Sequence, residues 1–104
     1  MVVEKTLFYL LTGMRGGTNR VRILRSLLEQ PKNANQLATD LNLNYKTVRH
    51  HLGLLTDHGI VTSTGSQYAE MYFTTDAFSE HREVFERISS DIDSSSPENK
   101  EKPT

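Results

Sequence analysis

Residues 44–59 read NYKTVRHHLGLLTDHG, a stretch with the period of an amphipathic helix. Asn44 can cap its N-terminus, and Gly59 can end it. One face carries the apolar side chains Val48, Leu52 and Leu55. The opposite face carries two cations, a histidine and a glycine, namely Lys46, Arg49, His50 and Gly53. A helix in a major groove needs long hydrogen-bond donors near its start, so the stretch has the pattern of a helix that reads DNA.

Two further helices are predicted before this stretch. Thr18 or Asn19 can cap a helix that ends near Pro31, because proline cannot continue a helix. Asn33 can cap a shorter helix, and Asn42 tolerates the left-handed conformation that a tight interhelical turn requires. These signals predict a helix-turn-helix in which residues 44–59 supply the second helix.

A β-hairpin is predicted after the helices. Residues 60–64 and 68–75 are rich in β-forming side chains, and Gly65-Ser66-Gln67 between them forms a turn signal. Helices followed by a hairpin predict a mostly α fold with a small β-hairpin (α+β), which is the order of a winged helix-turn-helix.

Both ends of the chain predict additional helices. Apolar residues recur with helical spacing in residues 3–14 and 78–92. Because a small domain could hardly hide both stripes alone, we interpret them as N- and C-terminal dimerisation helices. Residues 93–104 hold no aliphatic or aromatic side chain and predict a disordered tail. The predicted organisation is a single domain over residues 1–92, with an N-terminal helix (1–15), a winged-helix core (16–75) and a C-terminal dimer helix (76–92).

Charge is unevenly distributed, although the net charge is only −1. Residues 15–51 hold seven basic and two acidic side chains, whereas residues 70–102 hold four basic and nine acidic ones. A basic centre with an acidic end suits a protein that contacts phosphate with one part of its surface.

The composition also excludes several classes of protein. The chain has no cysteine, which rules out disulfides and thiolate metal sites. No catalytic constellation is recognisable and a small domain has little room for a substrate pocket, so we expect no enzyme and no cofactor. We also expect no metal, since His81 lies on the apolar stripe with no second histidine after it. No signal peptide or long apolar run is present, so we expect no membrane contact and a cytoplasmic location.

Four segments together resemble a known family. They read NRVRIL (19–24), ANQLA (34–38), YKTVRHHL (45–52) and DHGIV (57–61), and the hairpin follows them in the expected place. In this order they resemble the winged-helix regulators of the ArsR type over residues 15–75, and especially an archaeal-like group with a NANQLA…NYKTVRHHL signature. The resemblance implies a homodimeric transcription regulator that binds double-stranded DNA in a sequence-specific manner.

The candidate site residues follow from the pattern and the resemblance. The predicted DNA-contacting residues are Gln36, Asn44, Tyr45, Lys46, Thr47, Arg49, His50, Ser66 and Gln67. The predicted dimer-interface residues are Leu7, Leu11, Phe78, His81, Phe85, Ile88 and Ile92.

The hairpin departs from the family pattern, because residues 63–70 hold no basic side chain and end on Glu70. This favours an alternative, a winged helix that acts as a protein–protein interaction module or basal transcription component without specific DNA readout. The operator, the target genes, the sign of regulation and any small-molecule effector stay open.

Overall fold

The computed structural model describes residues 3–65 and 70–95. Its elements in chain order are α1 (Val3–Phe8), a π-helical segment (Tyr9–Gly13), α2 (Gly17–Glu29), α3 (Ala34–Leu41), α4 (Tyr45–Asp57), β1 (Val61–Thr64), β2 (Met71–Thr74), α5 (Asp76–Ser79) and α6 (Arg82–Ser95). The fold is mostly helical with one antiparallel hairpin, and the predicted fold class is confirmed. No helix in the described part of the chain is long and apolar enough to cross a membrane.

The hairpin is attached to the helices by one additional bridge. Strands β1 and β2 are antiparallel, with Val61 opposite Thr74 and Ser63 opposite Tyr72. Outside the strands, the backbone of Tyr72 exchanges hydrogen bonds with Lys32, and the amide of Tyr72 donates to the Lys32 carbonyl at 2.8 Å. The position of Tyr72 is therefore fixed both by β1 and by the segment between α2 and α3.

The core forms where the apolar faces of the helices meet. The face of α4 predicted from the sequence lies inside, because Val48, Leu52 and Leu55 are buried. Helix α6 packs against α1, the π-helical segment and α2, and the rings of Phe78 and Phe85 meet edge to face with centroids 5.2 Å apart. The terminal helices therefore belong to the same core as the helix-turn-helix.

This arrangement uses most of the predicted dimer-interface residues within the single chain. Five of these seven side chains are buried there: Leu7, Leu11, Phe78, Phe85 and Ile88. His81 and Ile92 are half-buried. The apolar stripes were expected to need a partner, but α1 and α6 cover each other's stripes and the core, so these five residues do not form an exposed interface.

The C-terminal helix begins where it was predicted but differs from the prediction further on. Thr75 is its N-cap, and the Thr75 hydroxyl oxygen accepts a hydrogen bond from the Phe78 amide at 3.2 Å. The predicted single helix is divided into α5 and α6, and α6 continues past Ile92 to Ser95. Asp93 lies in α6 and forms an ion pair with Arg25 at 2.7 Å. Residues 93–95 are thus helical, and the remainder of the predicted tail lies outside the described residues.

A buried arginine joins the N-terminal segment to the rest of the fold. Arg20 in α2 is 0% exposed, and its guanidinium donates to the carbonyl oxygens of Leu10 at 2.8 Å and Arg15 at 2.7 Å. It also contacts Nδ1 of His51 in α4 at 3.0 Å. Arg20 thereby supplies hydrogen bonds to carbonyl groups at and beyond the end of the N-terminal helix, which lack helical partners of their own. It also links that segment to α4.

Candidate nucleic-acid interface

The turn between α3 and α4 is built by asparagines. Asn33 and Gln36 form a capping box at the start of α3, with hydrogen bonds of 2.7 and 2.8 Å. Asn42 ends α3 in the left-handed conformation with φ 56°. The Asn44 side chain then caps α4 by accepting from the Lys46 amide at 2.8 Å. These caps set the angle at which α4 leaves the domain.

The outward face of α4 carries most of the predicted DNA-contacting residues. Tyr45, Lys46, Arg49 and His50 are exposed there, and Gly53 leaves open space on the same face. Thr47 is half-buried, and Asn44 is exposed at the cap. Aspartate 57, at the far end of the helix, is the acidic residue of α4. The face therefore presents donors at its start, as a groove-binding helix requires.

The other predicted contacts are placed differently. Gln36 is exposed, but its side-chain oxygen accepts a hydrogen bond from the Asn33 amide. Gln36 therefore helps to cap α3. Ser66 and Gln67 lie outside the described residues. Arg22 is a cation of the basic centre that was not among the predicted contacts, and its guanidinium donates to the Leu41 carbonyl at 2.6 Å, which holds α2 against α3.

The Arg49 side chain is held by the hairpin, a contact that was not predicted from the sequence. Its Nη1 donates to the Tyr72 hydroxyl at 2.5 Å and lies 3.5 Å from a carboxylate oxygen of Glu70. Glu70 also accepts from the hydroxyls of Ser63 at 2.7 Å and Tyr72 at 3.1 Å. The Ser63 hydroxyl and then the Tyr72 hydroxyl and Arg49 lower the pKa of Glu70, which burial opposes. Glu70 is therefore held as a carboxylate beside the outward face of α4.

The signal for this network was present in the sequence only in part. The sequence shows Glu70 as an acid in a hairpin without cations, but no local signal connects Tyr72 to Arg49. Tyr72 does pack, since it is buried, but its hydroxyl reaches Arg49. Residues 61–75 hold no cation, so a cation that pairs with Glu70 has to come from a neighbouring element.

A second histidine lies behind the exposed face. His51 is 5% exposed and its ring lies 5.5 Å from the ring of His50. Burial, then the Arg20 charge and then His50 lower the pKa of His51 to about 4. Because arginine can only donate, Nδ1 of His51 accepts the hydrogen bond from Arg20 and the ring is neutral. His51 is thus a structural group, and His50 is the histidine available to a ligand.

Comparisons with known structures agree with this fold. The chain is similar to Rv0081 of M. tuberculosis, with 25% identity, a TM-score of 0.61, and coverage of 86% of this chain and 91% of that one. It is also similar to the reduced transcriptional regulator YodB of B. subtilis, with 17% identity, a TM-score of 0.65, and coverage of 93% and 96%. The overoxidized AbfR bound to DNA matches at 21% identity and a TM-score of 0.62, covering 93% of this chain and 71% of that one.

A family comparison finds a similarity in the central segment. No curated protein matches the chain. Residues 18–63 match the family model described as bacterial regulatory protein, arsR family. That description names a regulatory protein. The matched residues take in α3, α4 and nearly all of α2, so the helix-turn-helix of this chain is similar to that of the arsR-family regulators.

Proposed function

We propose that the chain is a sequence-specific transcription regulator that binds double-stranded DNA as a homodimer. The observation that carries this proposal is the outward face of α4, where Lys46, Arg49 and His50 are exposed together. The similarity to AbfR, which was solved bound to DNA, supports the same use of the fold. We also propose that the chain belongs to the archaeal-like group with the NANQLA…NYKTVRHHL signature. We further propose that it is located in the cytoplasm, where a regulator would meet DNA.

The three side chains have different tasks in this proposal. Arg49 has a planar guanidinium that can bind a guanine edge with two hydrogen bonds. Lys46 lies in the first turn of α4 and carries a compact charge suited to phosphate. His50 can donate a hydrogen bond to a base or phosphate. Asn44 and Tyr45 flank these groups at the start of the helix.

Replacing Arg49 or Lys46 by alanine is expected to weaken DNA binding in different ways. Arg49→Ala should cost about 1–3 kcal/mol on a selected site and reduce sequence preference. Lys46→Ala should weaken all sequences alike and reduce the salt slope by about one unit per subunit. Binding isotherms on the selected site and on random duplex, at several salt concentrations, measure both effects.

Arg87→Ala is the matched control, because Arg87 is exposed on α6 and its loss removes the same charge. It should bind like the parent. If Arg49→Ala and Lys46→Ala also bind like the parent, α4 does not enter the groove. The acidic, cation-free hairpin would then favour the second candidate, a protein-contact module or basal transcription component, which should bind duplex DNA weakly at any salt concentration.

Dimerisation is proposed through the outer side of the terminal helices. Their inner sides are used in the core, but Phe8 and Tyr9 are 48% and 52% exposed. Large apolar side chains exposed next to each other along the chain mark an interaction surface more often than isolated ones do. A homodimer would also place two recognition helices on successive turns of DNA, which a monomer cannot do.

Phe8→Glu is expected to give a folded monomer, because a buried charge at the centre of an apolar interface is unpaired. Light scattering measures the mass, and circular dichroism checks that the helices persist. Thr62→Glu adds the same charge on an exposed position of β1 and should remain a dimer. A Phe8→Glu variant that stays dimeric would locate the interface elsewhere.

A further inference from the structure

We propose that Glu70 determines specificity in this interface by holding Arg49 in position for a base edge and keeping it away from phosphate. The inference rests on the proposed function, since it assigns a role to a hairpin residue in the readout by α4. The geometry that carries it is the contact between Nη1 of Arg49, the Tyr72 hydroxyl at 2.5 Å and the Glu70 carboxylate at 3.5 Å.

The group that holds Arg49 is itself fixed. The Tyr72 ring is buried, and its backbone is paired on one side with Ser63 and on the other with Lys32. The Glu70 carboxylate accepts from the hydroxyls of both Ser63 and Tyr72. Arg49 is therefore tied to a rigid part of the hairpin base, and its guanidinium loses less rotational freedom when it binds a base.

The contacts use one end of the guanidinium only. Within residues 3–65 and 70–95, every hydrogen bond and ion pair of the Arg49 side chain is made through Nη1. The Nε and Nη2 groups keep their donors, and two parallel N–H groups match the two acceptors that guanine presents in the major groove. The Arg49 side chain is about half exposed, so this edge can be reached.

The carboxylate also acts against the competing ligand. A phosphate that approached Arg49 would come close to the negative charge of Glu70, and like charges at short range repel. A guanine edge is neutral and meets much less of this repulsion. Glu70 would therefore lower the affinity for DNA in general while leaving the affinity for the correct base pair largely unchanged, which raises the ratio between the two.

The contacts among Arg49, Glu70 and Tyr72 could instead serve only to hold the hairpin against α4, with no role in the recognition of DNA sequence. The two roles predict different results when the charge is removed and the shape is kept. Loss of a structural tie would lower stability and weaken all DNA binding together. Loss of a phosphate-excluding charge would strengthen binding to random DNA.

The test is Glu70→Gln in the full-length chain, with isotherms on the selected site and on random duplex at several salt concentrations. The Tyr72 and Ser63 hydroxyls donate to different oxygens of the carboxylate. In Glu70→Gln the amide oxygen can keep the hydrogen bond from Tyr72 and the amide nitrogen can donate to the Ser63 hydroxyl, so the variant should keep the parent's melting temperature. We expect tighter binding to random duplex, a salt slope steeper by about one unit per subunit, and a ratio of specific to random affinity lower by about tenfold. Glu83→Gln, on the exposed side of α6, removes the same charge and corrects for the change in net charge.

Two further variants assign the effect to Arg49. In an Arg49→Ala background, Glu70→Gln should change binding no more than Glu83→Gln does, because the freed cation is absent. Tyr72→Phe removes the second partner of Nη1 and should lower the ratio in the same direction as Glu70→Gln.

An unchanged affinity ratio in Glu70→Gln, or an equal loss on both kinds of DNA, would overturn the inference. It would leave the proposed function intact if the parent still prefers its site and needs Arg49. A parent that shows no preference among DNA sequences would overturn both.

Discussion

Gly17→Ala is expected to destabilise the protein by about 3 kcal/mol, one of the largest effects of any conservative substitution in this chain. A Cβ atom at Gly17 would overlap the carbonyl oxygen of Leu11 and lie 2.7 Å from its carbonyl carbon. Both are backbone atoms, so no side-chain rotation can relieve the contact. Either the π-helical segment or the start of α2 must therefore move. Arg20 resists this movement, because it donates hydrogen bonds to the carbonyl oxygens of Leu10, in that segment, and Arg15, in the turn before α2.

Gly53→Ala is the matched control for this prediction. A Cβ atom at Gly53 meets nothing within 4 Å, and the residue lies inside α4. Alanine should therefore stabilise the helix there by about 0.5–1 kcal/mol. Urea unfolding of the two variants should shift the midpoint in opposite directions. Equal midpoints for Gly17→Ala and the parent would show that the N-terminal segment does not approach α2 this closely in solution.

The helix-turn-helix could be predicted from the sequence because its signals are local. Asn33, Asn42 and Asn44 each act within a few residues of their own position, as caps or as the left-handed residue of the turn. The two faces of α4 follow from helical periodicity alone, so the outward position of Lys46 and Arg49 could be read before any packing was known.

The contacts between distant elements could not be predicted in this way. The charge pattern counts Arg20 as one more surface cation of the basic centre, and nothing in its neighbours along the chain marks it as buried. Its burial arises because the π-helical segment and the turn after it bring the carbonyl oxygens of Leu10 and Arg15 within hydrogen-bond distance of the Arg20 guanidinium. The pairing of Arg49 with Glu70 likewise depends on how the hairpin docks against α4.

The terminal helices illustrate a different limit. Their apolar stripes were correctly identified, since Leu7 and Phe85 are buried. An apolar stripe, however, predicts only that this face of the helix is covered, and it does not identify the molecule that covers it. Here the first cover is the chain's own core, and the exposed residues that stay available, Phe8 and Tyr9, lie off the stripe that the periodicity selected.

Acid is expected to destabilise the protein through His51 before most carboxylates are protonated. The pKa of His51 is about 4 in the folded chain, against about 6.5 for histidine in an unfolded chain. Between these two values the unfolded state binds one proton more than the folded state, so the free energy of unfolding falls as the pH falls. The contribution is complete above about pH 6.5 and is lost by about pH 4, with a total of about 3 kcal/mol.

The molecular reason for the lowered pKa of His51 is burial first and the charge of Arg20 second. A protonated His51 would turn a donor toward a guanidinium that can only donate, and would bring a second charge next to a buried one. Urea unfolding at closely spaced pH values between 4 and 7 measures the slope. His51→Asn keeps an acceptor for Arg20 but cannot titrate, so its slope in this range should be smaller than the parent's. If His51→Asn and the parent lose stability equally over this range, the ring of His51 is not held neutral in the folded chain, and another group carries the acid sensitivity.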